Sequence, residues 1–258
     1  MRLKDKVAFI TGGARGIGLA CAQAFLAEGA KIVISDVDAR AGKEALKTLN
    51  VGEDRAHYLD CDVGDKAAVD RAIAATVASF GKLDIAIANA GIVKTADVLE
   101  LTEADFDAVL RVNLKGAFWV AQAAARQMVA QKTGGAIIAM SSVNAVMAIP
   151  NILPYVVSKG GINQMIKAMA IALAPKGIRV NGIGPGSIAT EVFAKVATDK
   201  AAMTRILSRT PLGRVGEAEE IGRVAAFLAS DDASYITGTT IYADGGRLAL
   251  NYTVPVPE

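Results

Sequence analysis

Residues 7–20 read Val-Ala-Phe-Ile-Thr-Gly-Gly-Ala-Arg-Gly-Ile-Gly-Leu-Ala, an apolar run followed by a glycine-rich turn and the start of an amphipathic helix. The spacing of Gly12, Gly16 and Gly18 is G-x-x-x-G-x-G. Glycines let the backbone approach a pyrophosphate closely, and the amides and dipole at the start of the next helix attract its charge. The spacing differs from G-x-G-x-x-G, and no Lys-Ser or Lys-Thr follows as in a P-loop. The stretch predicts a strand, turn and helix suited to a dinucleotide, or else only a tight turn between a strand and a helix.

The next β-like run ends in a carboxylate at Asp36, 18 residues after Gly18. Dinucleotide-binding folds place an acidic residue about 20 residues further on, where it accepts hydrogen bonds from the adenosine ribose. The same carboxylate would repel a 2′-phosphate by on the order of a few kcal/mol. We therefore expect NAD rather than NADP, although Arg15 and Arg40 could offset part of that repulsion. The alternative for Asp36 is a solvated aspartate that caps the helix starting near Asp38.

Tyr155 and Lys159 lie four residues apart, which is about one helical turn and places a phenol and an ammonium on one face. A phenol with a pKa of about 10 is a poor base at neutral pH, and a cation within ~4–6 Å favours the phenolate. The pair is therefore a candidate general acid and base. A tyrosine packed on a lysine stem is the alternative, because this spacing also arises by chance.

Together these features resemble the short-chain dehydrogenase/reductase family, and the likeness runs from about Arg2 to about Gly246. The stretch from Thr11 to Gly18 resembles the family's T-G-x-x-x-G-x-G cofactor loop. The residues and the resemblance predict the following cofactor-binding positions: Gly12, Arg15, Gly16, Ile17, Gly18, Asp36, Asp62, Val63, Asn89, Ala90, Gly91, Tyr155, Lys159, Pro185, Gly186, Ile188 and Thr190.

The resemblance also implies a catalytic tetrad of Asn113, Ser142, Tyr155 and Lys159, with 13 positions between Ser142 and Tyr155. Tyr155 would exchange a proton with the alcohol, and Ser142 would align the substrate oxygen. Lys159 would lower the pKa of the tyrosine and bind the nicotinamide ribose. Asn113 would anchor a water that links Lys159 to solvent. The structural alternatives are a polar strand end at Ser142 and a helix-bending role for Asn113.

Runs rich in Val and Ile alternate with helical stretches along the whole chain. The expected strands are residues 7–11, 31–36, 55–60, 85–89, 135–141, 179–185 and 239–243. This alternation predicts an α/β fold: a Rossmann-like, doubly wound, seven-stranded parallel sheet with helices on both faces. No repeat or linker interrupts it, so one NAD-binding catalytic domain over residues 1–258 is expected. Its ligand crevice would lie at the carboxyl ends of the strands.

Composition narrows the class of protein. The 258 residues have a formal net charge of +2 and are 52% hydrophobic, which is typical of a soluble globular protein. The absence of a long apolar run, a signal-peptide core and a basic tract predicts a cytoplasmic protein without a membrane or nucleic-acid partner. Cys21 and Cys61 are expected to be buried thiols, and His57 to be structural. We expect no metal. The sequence does not supply the ligands that a zinc alcohol dehydrogenase needs or the base that a Ser-His-Asp hydrolase needs.

Substrate contacts are expected from a loop at about 187–213 and from the segment 144–153. An apolar pocket is predicted from Val146, Met147, Ile149, Leu153, Val192 and Phe193. It would favour a small or medium secondary alcohol. Lys195 and Arg205 could bind an acidic group, or could simply be solvated.

By resemblance, the helices near 104–130 and 154–173 would pair with a second subunit in a homotetramer, although they could simply pack on the sheet. The C-terminal extension 247–258 contains prolines that preclude a regular helix, and we expect it to pack across a subunit interface.

The leading expectation is an NAD-dependent enzyme that oxidises a secondary alcohol to a ketone, the substrate being a sugar, polyol, hydroxy acid or ring alcohol. A ketoreductase for 3-oxoacyl chains with NADPH is the first alternative. A dinucleotide-binding protein without turnover is the second.

Overall fold

The computed structural model describes residues 1–191, 193 and 198–256. Its strands are β1 (Val7–Thr11), β2 (Lys31–Asp36), β3 (Ala56–Asp60), β4 (Ile85–Ala88), β5 (Gly135–Met140), β6 (Ile178–Pro185), β7 (Ile188–Ala189), β8 (Gly216–Glu217) and β9 (Thr240–Ala243). Seven of them form one parallel sheet in the order β3-β2-β1-β4-β5-β6-β9. The predicted seven-stranded sheet is confirmed, and each strand end lies within one residue of its expected position. The short parallel pair β7 and β8 was not predicted.

Helices cover both faces of the sheet. They are α1 (Gly16–Ala27), α2 (Ala39–Leu49), α3 (Lys66–Phe80), α4 (Glu103–Leu110), α5 (Ala117–Gln131), α6 (Leu153–Leu173), α7 (Lys200–Leu207) and α8 (Ala218–Ala229). A π-helical segment, Arg111–Gly116, joins α4 to α5. Among the described residues, no helix combines the length and apolarity needed to cross a bilayer.

The strands are apolar on both sides because each side meets a separate helical layer. In β1, Ala8 and Ile10 pack with α1 and α8 on one face, whereas Phe9 packs with α3, α5 and α6 on the other. All five residues of β1 are buried. Burial on both faces explains why the strands read as continuous apolar runs rather than as alternating ones.

The strand order reverses between β1 and β4, which are neighbours in the sheet. The connections after these two strands run to opposite faces of the sheet and leave a crevice at the carboxyl ends. The glycine turn follows β1 and Asn89 follows β4, so both lie at this crevice.

Two predictions outside the site are also confirmed. Cys21 and Cys61 are free, buried thiols, and burial raises the pKa of Cys21 to about 12. His57 lies on β3, where its Nε2 is 2.6 Å from the carbonyl oxygen of Glu53 and its ring stacks edge-on against Phe80. These contacts are structural.

Candidate active site

The glycine turn is held by side chains of two neighbouring strands. The Asn89 amide donates to the carbonyls of Thr11 and Gly12 at 3.0 and 3.1 Å. The Thr11 hydroxyl accepts from the backbone amides of Asn89 and Ala90 at 3.0 and 3.2 Å. Gly12 has φ +61, and a Cβ on Gly18 would lie 2.1 Å from the Gly12 carbonyl oxygen. The tight turn therefore requires glycine at both positions.

The N-terminus of α1 differs from those of four other helices. The side chain of Arg15 does not cap α1, and its first turn has no acidic residue. Side chains cap α2, α3, α4 and α7: Asp38, Asp65, Thr102 and Asp199. The first amides of α1 thus lack a side-chain acceptor and suit a phosphate group.

Asp36 ends β2 beside this turn, and its Oδ1 accepts from the backbone amide of Asp38 at 3.1 Å. The residue that caps α2 is Asp38, not Asp36. Asp38 also forms an ion pair with the Arg15 guanidinium, whose Nε lies 3.7 Å from Glu191 Oε2. The hydrogen bond from Ala41 N and the nearby Arg15 charge hold the pKa of Asp38 below its ordinary value. Arg15 is therefore already neutralised by carboxylates of this chain.

Asp62 and Val63 follow β3, as predicted for the edge of the crevice. The Asp62 carboxylate accepts from Arg111 Nη1 at 2.8 Å and from the Gly64 amide at 2.8 Å. Burial alone would raise the pKa of Asp62, but these two hydrogen bonds outweigh it and lower the pKa. Val63 packs against Gly116, where a Cβ would lie 2.7 Å from Val63 Cγ2. Arg111 was not predicted, because only the tertiary fold brings it to Asp62.

The segment after β6 lies against the glycine turn. The Gly186 amide donates to the Ala243 carbonyl at 3.0 Å, which ties the end of β6 to β9. Ile188 is buried in β7. The Thr190 methyl group lies 3.4 Å from where a Cβ of Gly16 would be. Thr190 and Gly16, from the two predicted segments, therefore lie next to each other.

The four tetrad residues come from three elements and converge. Ser142 follows β5, Tyr155 and Lys159 lie on α6, and Asn113 lies on the π-helical segment. The Ser142 hydroxyl lies close enough to Tyr155 to lower the pKa of the phenol. Lys159 Nζ lies 5.4 Å from the centroid of the Tyr155 ring and donates to the Met140 carbonyl at 2.6 Å. The structure therefore brings the phenol, the ammonium and the serine hydroxyl together.

The shift of the tyrosine pKa differs from the expectation. Burial raises the pKa of Tyr155, and the hydrogen bond with Ser142 opposes the rise only in part. Burial lowers the pKa of Lys159 to about 8. The ammonium faces the Tyr155 ring and the Met140 carbonyl, and burial is the largest cause of both shifts. The lowering of the tyrosine pKa by Lys159 is therefore not observed in this chain.

Asn113 connects the two halves of the site. Its Oδ1 accepts from the Ile92 amide at 2.8 Å, and its Nδ2 donates to the Ile92 carbonyl and to Ser158 Oγ at 3.0 and 3.2 Å. Ser158 in turn donates to the Tyr155 carbonyl at 2.7 Å. Both amide N–H groups of Asn113 are used, so the side chain ties the turn after β4 to α6. Ser158 was missed in the sequence, although its place three residues after Tyr155 puts it on the same helix.

A second polar network lies next to Ser142 and joins β5, α6 and β9. Asn163 lies one turn beyond Lys159, and its Oδ1 accepts from Ser141 Oγ at 2.7 Å and from Thr240 Oγ1 at 3.0 Å. Its Nδ2 donates to the Tyr242 hydroxyl at 2.8 Å. This network joins β5, α6 and β9 next to Ser142, and nothing in the local sequence indicated it.

Three of the predicted substrate residues, Val146, Ile149 and Leu153, lie in the segment that runs from Ser142 to the first residue of α6. Val146, Ile149 and Leu153 are exposed large apolar side chains, and Phe193 is half-buried. Val192 and Lys195 lie outside the described residues. Arg205 is exposed on α7.

The C-terminal extension lies along its own chain, where the Val254 amide donates to the Ser208 carbonyl at 2.8 Å. The expected contact of this extension with another subunit remains a prediction.

The fold and the site define an oxidoreductase of the Rossmann type that works with a nicotinamide cofactor. Residues 12–247 match the family described as enoyl-(acyl carrier protein) reductase. An uncharacterized oxidoreductase of Mycobacterium bovis is 42% identical over 248 residues, which are 95% of this chain and 98% of the relative. The L-rhamnose 1-dehydrogenase (NAD(P)(+)) of Azotobacter vinelandii is 36% identical over 252 residues, again 95% and 98%. A short-chain type dehydrogenase/reductase from Mycobacterium marinum has a crystal structure that matches with a TM-score of 0.91 at 35% identity, covering 96% of this chain and 97% of that one. This chain belongs to the short-chain dehydrogenase/reductase family.

Proposed function

We propose that this chain, acting as one catalytic domain, is an NAD-dependent dehydrogenase that oxidises a secondary alcohol to the ketone. The observation that supports it most is the convergence of the Tyr155 phenol, the Ser142 hydroxyl and the Lys159 ammonium at the crevice. Hydride transfer from a carbinol requires a proton to leave the same oxygen. The phenolate form of Tyr155, next to a hydroxyl that can hold that oxygen, would supply the proton acceptor.

The residues at the crevice fit a dinucleotide. The glycine turn has no room for a Cβ at Gly18, and the amides at the start of α1 have no side-chain acceptor. The phosphates would lie at the turn 12–18, the adenosine ribose at Asp36 and the adenine beside Asp62 and Val63. The residues 89–91 and 185–190 would hold the nicotinamide end. When bound, the nicotinamide supplies the hydride acceptor.

The side chains of this chain would divide the remaining work. Ser142 would hold and orient the substrate oxygen, and Tyr155 would take its proton. Lys159 would bind the nicotinamide ribose and keep a positive charge beside the phenol. Asn113 would act as a positioning residue, because its amide fixes the turn after β4 against the helix of the tyrosine. A water that links Lys159 to solvent is part of this proposal.

The preference for NAD rests on two charges. Asp36 presents a carboxylate at the end of β2, where a 2′-phosphate would meet it. Arg15, the cation nearest the turn, is already paired with Asp38 and lies 3.7 Å from Glu191. Its charge is therefore less available to a phosphate.

Initial rates with NAD and NADP, measured on a panel of secondary alcohols, test this proposal. We expect the wild type to react faster with NAD than with NADP. D36A should lower the ratio of the NAD rate to the NADP rate by roughly 10-fold or more, because a carboxylate and a 2′-phosphate at ~4 Å repel each other by several kcal/mol. D54A is the matched control, because Asp54 is an exposed aspartate in the loop before β3. Equal or better use of NADP by the wild type would reject the NAD preference.

A ketoreductase for oxoacyl chains is the second candidate. The description of the matching family names a reductase of acyl carrier protein substrates, and the relative from Azotobacter vinelandii is named for both NAD and NADP. Reduction of a 3-oxoacyl thioester with NADPH faster than oxidation of every alcohol would favour this candidate. Cofactor binding without any turnover would instead favour a binding protein.

The L-rhamnose dehydrogenase among the relatives supports a sugar or polyol as one substrate class to include. Exposed apolar side chains on α5 and α6, namely Val129, Val157 and Ile171, support the proposal that these helices pair in a homotetramer. Measuring the oligomer mass of the full chain and of a chain without residues 247–258 tests both the tetramer and the role of the extension.

A further inference from the structure

An arginine of the C-terminal extension lies between the two segments expected to face the substrate. Asp244 folds the chain there by accepting from the Gly246 and Leu248 amides at 2.9 and 2.8 Å. The Leu212 amide donates to the Gly245 carbonyl at 3.1 Å, which fixes this turn against the substrate loop. Arg247 then extends to the other segment, where its Nε lies 3.4 Å from Met147 Sδ.

The guanidinium of Arg247 is short of acceptors. Its Nη1 is buried without a hydrogen-bond partner. A thioether sulfur is only a weak acceptor for Nε. Within the described part of the chain Arg247 forms no ion pair, and both oxygens of the nearby Asp244 are used by backbone amides. Burial is the largest cause that lowers the pKa of Arg247. A buried cationic donor without an acceptor is costly, and such groups call for a partner.

This cation reaches the turn that presents Ser142. The Met147 amide donates to the Val143 carbonyl at 3.0 Å, and the Asn144 amide donates to Ser142 Oγ at 3.1 Å. Met147 and Ser142 thus belong to one hydrogen-bonded turn. Through Met147 the Arg247 side chain contacts the turn that begins at Ser142, the residue that would hold the reacting oxygen.

We infer that Arg247 binds a carboxylate of the substrate, so that the enzyme acts on hydroxy acids. A guanidinium offers a planar pair of N–H donors that matches a carboxylate. This inference rests on the proposed function, because it assigns the substrate class of the same site. It also differs from the sequence-based expectation, in which Lys195 and Arg205 were the candidate anion ligands.

The test measures binding, so it does not depend on turnover. The full-length protein saturated with NADH is titrated by calorimetry with 2-hydroxybutyrate, 3-hydroxybutyrate and 4-hydroxypentanoate, and with the carboxamide of each. At least one acid should bind about 10-fold or more tightly than its amide, as for a hydrogen bond to a charged group. In R247M the ratio of the affinity for the acid to the affinity for its amide should fall to about 1. R247K should recover part of this preference for the acid. R205M, on the exposed face of α7, should keep the ratio.

Three results would overturn the inference: no acid binds more tightly than its amide, the ratio survives R247M, or R205M removes it. Binding of inorganic phosphate but of none of the acids would also contradict it. If R247M does not fold, as judged by circular dichroism, R247Q takes its place in the same titrations. Failure of the proposed function is a separate result, since it would appear as no NADH formation from any alcohol, whatever the binding ratio.

Discussion

Lys159 is a buried ammonium, and removing its charge should stabilise the protein. Its side chain is 4% exposed, and its Nζ donates to the Met140 carbonyl at 2.6 Å. Among the described residues it has no carboxylate partner. Burial lowers its pKa from 10.5 to about 8, which corresponds to a cost of about 3 kcal/mol at ~1.4 kcal/mol per pKa unit. K159M removes this cost, and it also loses one hydrogen bond from a charged group, worth about 2 kcal/mol.

The net effect at pH 7 is an increase in the free energy of unfolding of about 1 kcal/mol. For a chain of this size that corresponds to a rise in Tm of roughly 2–4 °C. The gain depends on pH. Below about pH 8 the lysine is charged in the folded and the unfolded state, so the wild type bears the full cost. Between about 8 and 10.5 the unfolded state binds more protons, so wild-type stability rises with pH and the difference shrinks.

The measurement is chemical denaturation of both proteins without cofactor, at pH 7, 9 and 10.5 and at equal protein concentration. K167M is the matched control, because Lys167 is an exposed lysine on the same helix. We expect it to change the free energy of unfolding by less than about 0.5 kcal/mol. The reasoning is refuted if K159M is less stable than the wild type at pH 7, or if its advantage does not decline with pH. K159M should nevertheless lose alcohol oxidation, so that activity and stability change in opposite directions.

Two further predictions concern the tetrad. Alcohol oxidation should accelerate as pH rises into the alkaline range, because only the phenolate accepts a proton and burial raises the pKa of Tyr155. Initial rates from pH 6 to 10 check this prediction. A rate maximum below pH 7 would contradict it. N113A should lower the free energy of unfolding by about 1–3 kcal/mol and reduce kcat, because it leaves Ile92 and Ser158 without their amide partner. Thermal denaturation together with initial rates checks this prediction. An unchanged kcat would argue against the positioning role of Asn113.

The sheet was predictable because the residue pattern that marks each strand lies within a few neighbouring residues. The central strands β1, β4 and β5 are runs of apolar residues buried on both faces, and such runs are visible in the sequence without knowledge of the fold. The short pair β7 and β8 escaped notice, because two residues per strand leave no pattern. The site at the carboxyl ends followed from the same order of elements.

The tetrad was predictable in its placement but not in its electrostatics. Four residues of spacing put Tyr155 and Lys159 on one face of a helix, as the structure confirms. The direction of the tyrosine pKa shift depends on how deeply both groups are buried, and burial is set by β5 and the turn that follows it. Spacing fixes a distance along one helix, whereas desolvation is a property of everything packed around it.

The sequence by itself determined the parallel sheet, the glycine turn and the helical pair of phenol and ammonium, since each depends on neighbours only a few residues apart. Only the tertiary structure decided which charges neutralise Arg15 and that Arg111 reaches Asp62. It also decided that Arg247 meets a residue 100 positions earlier. Such contacts join distant parts of the chain, and their energies depend on burial and on the surrounding charges, which no local pattern encodes.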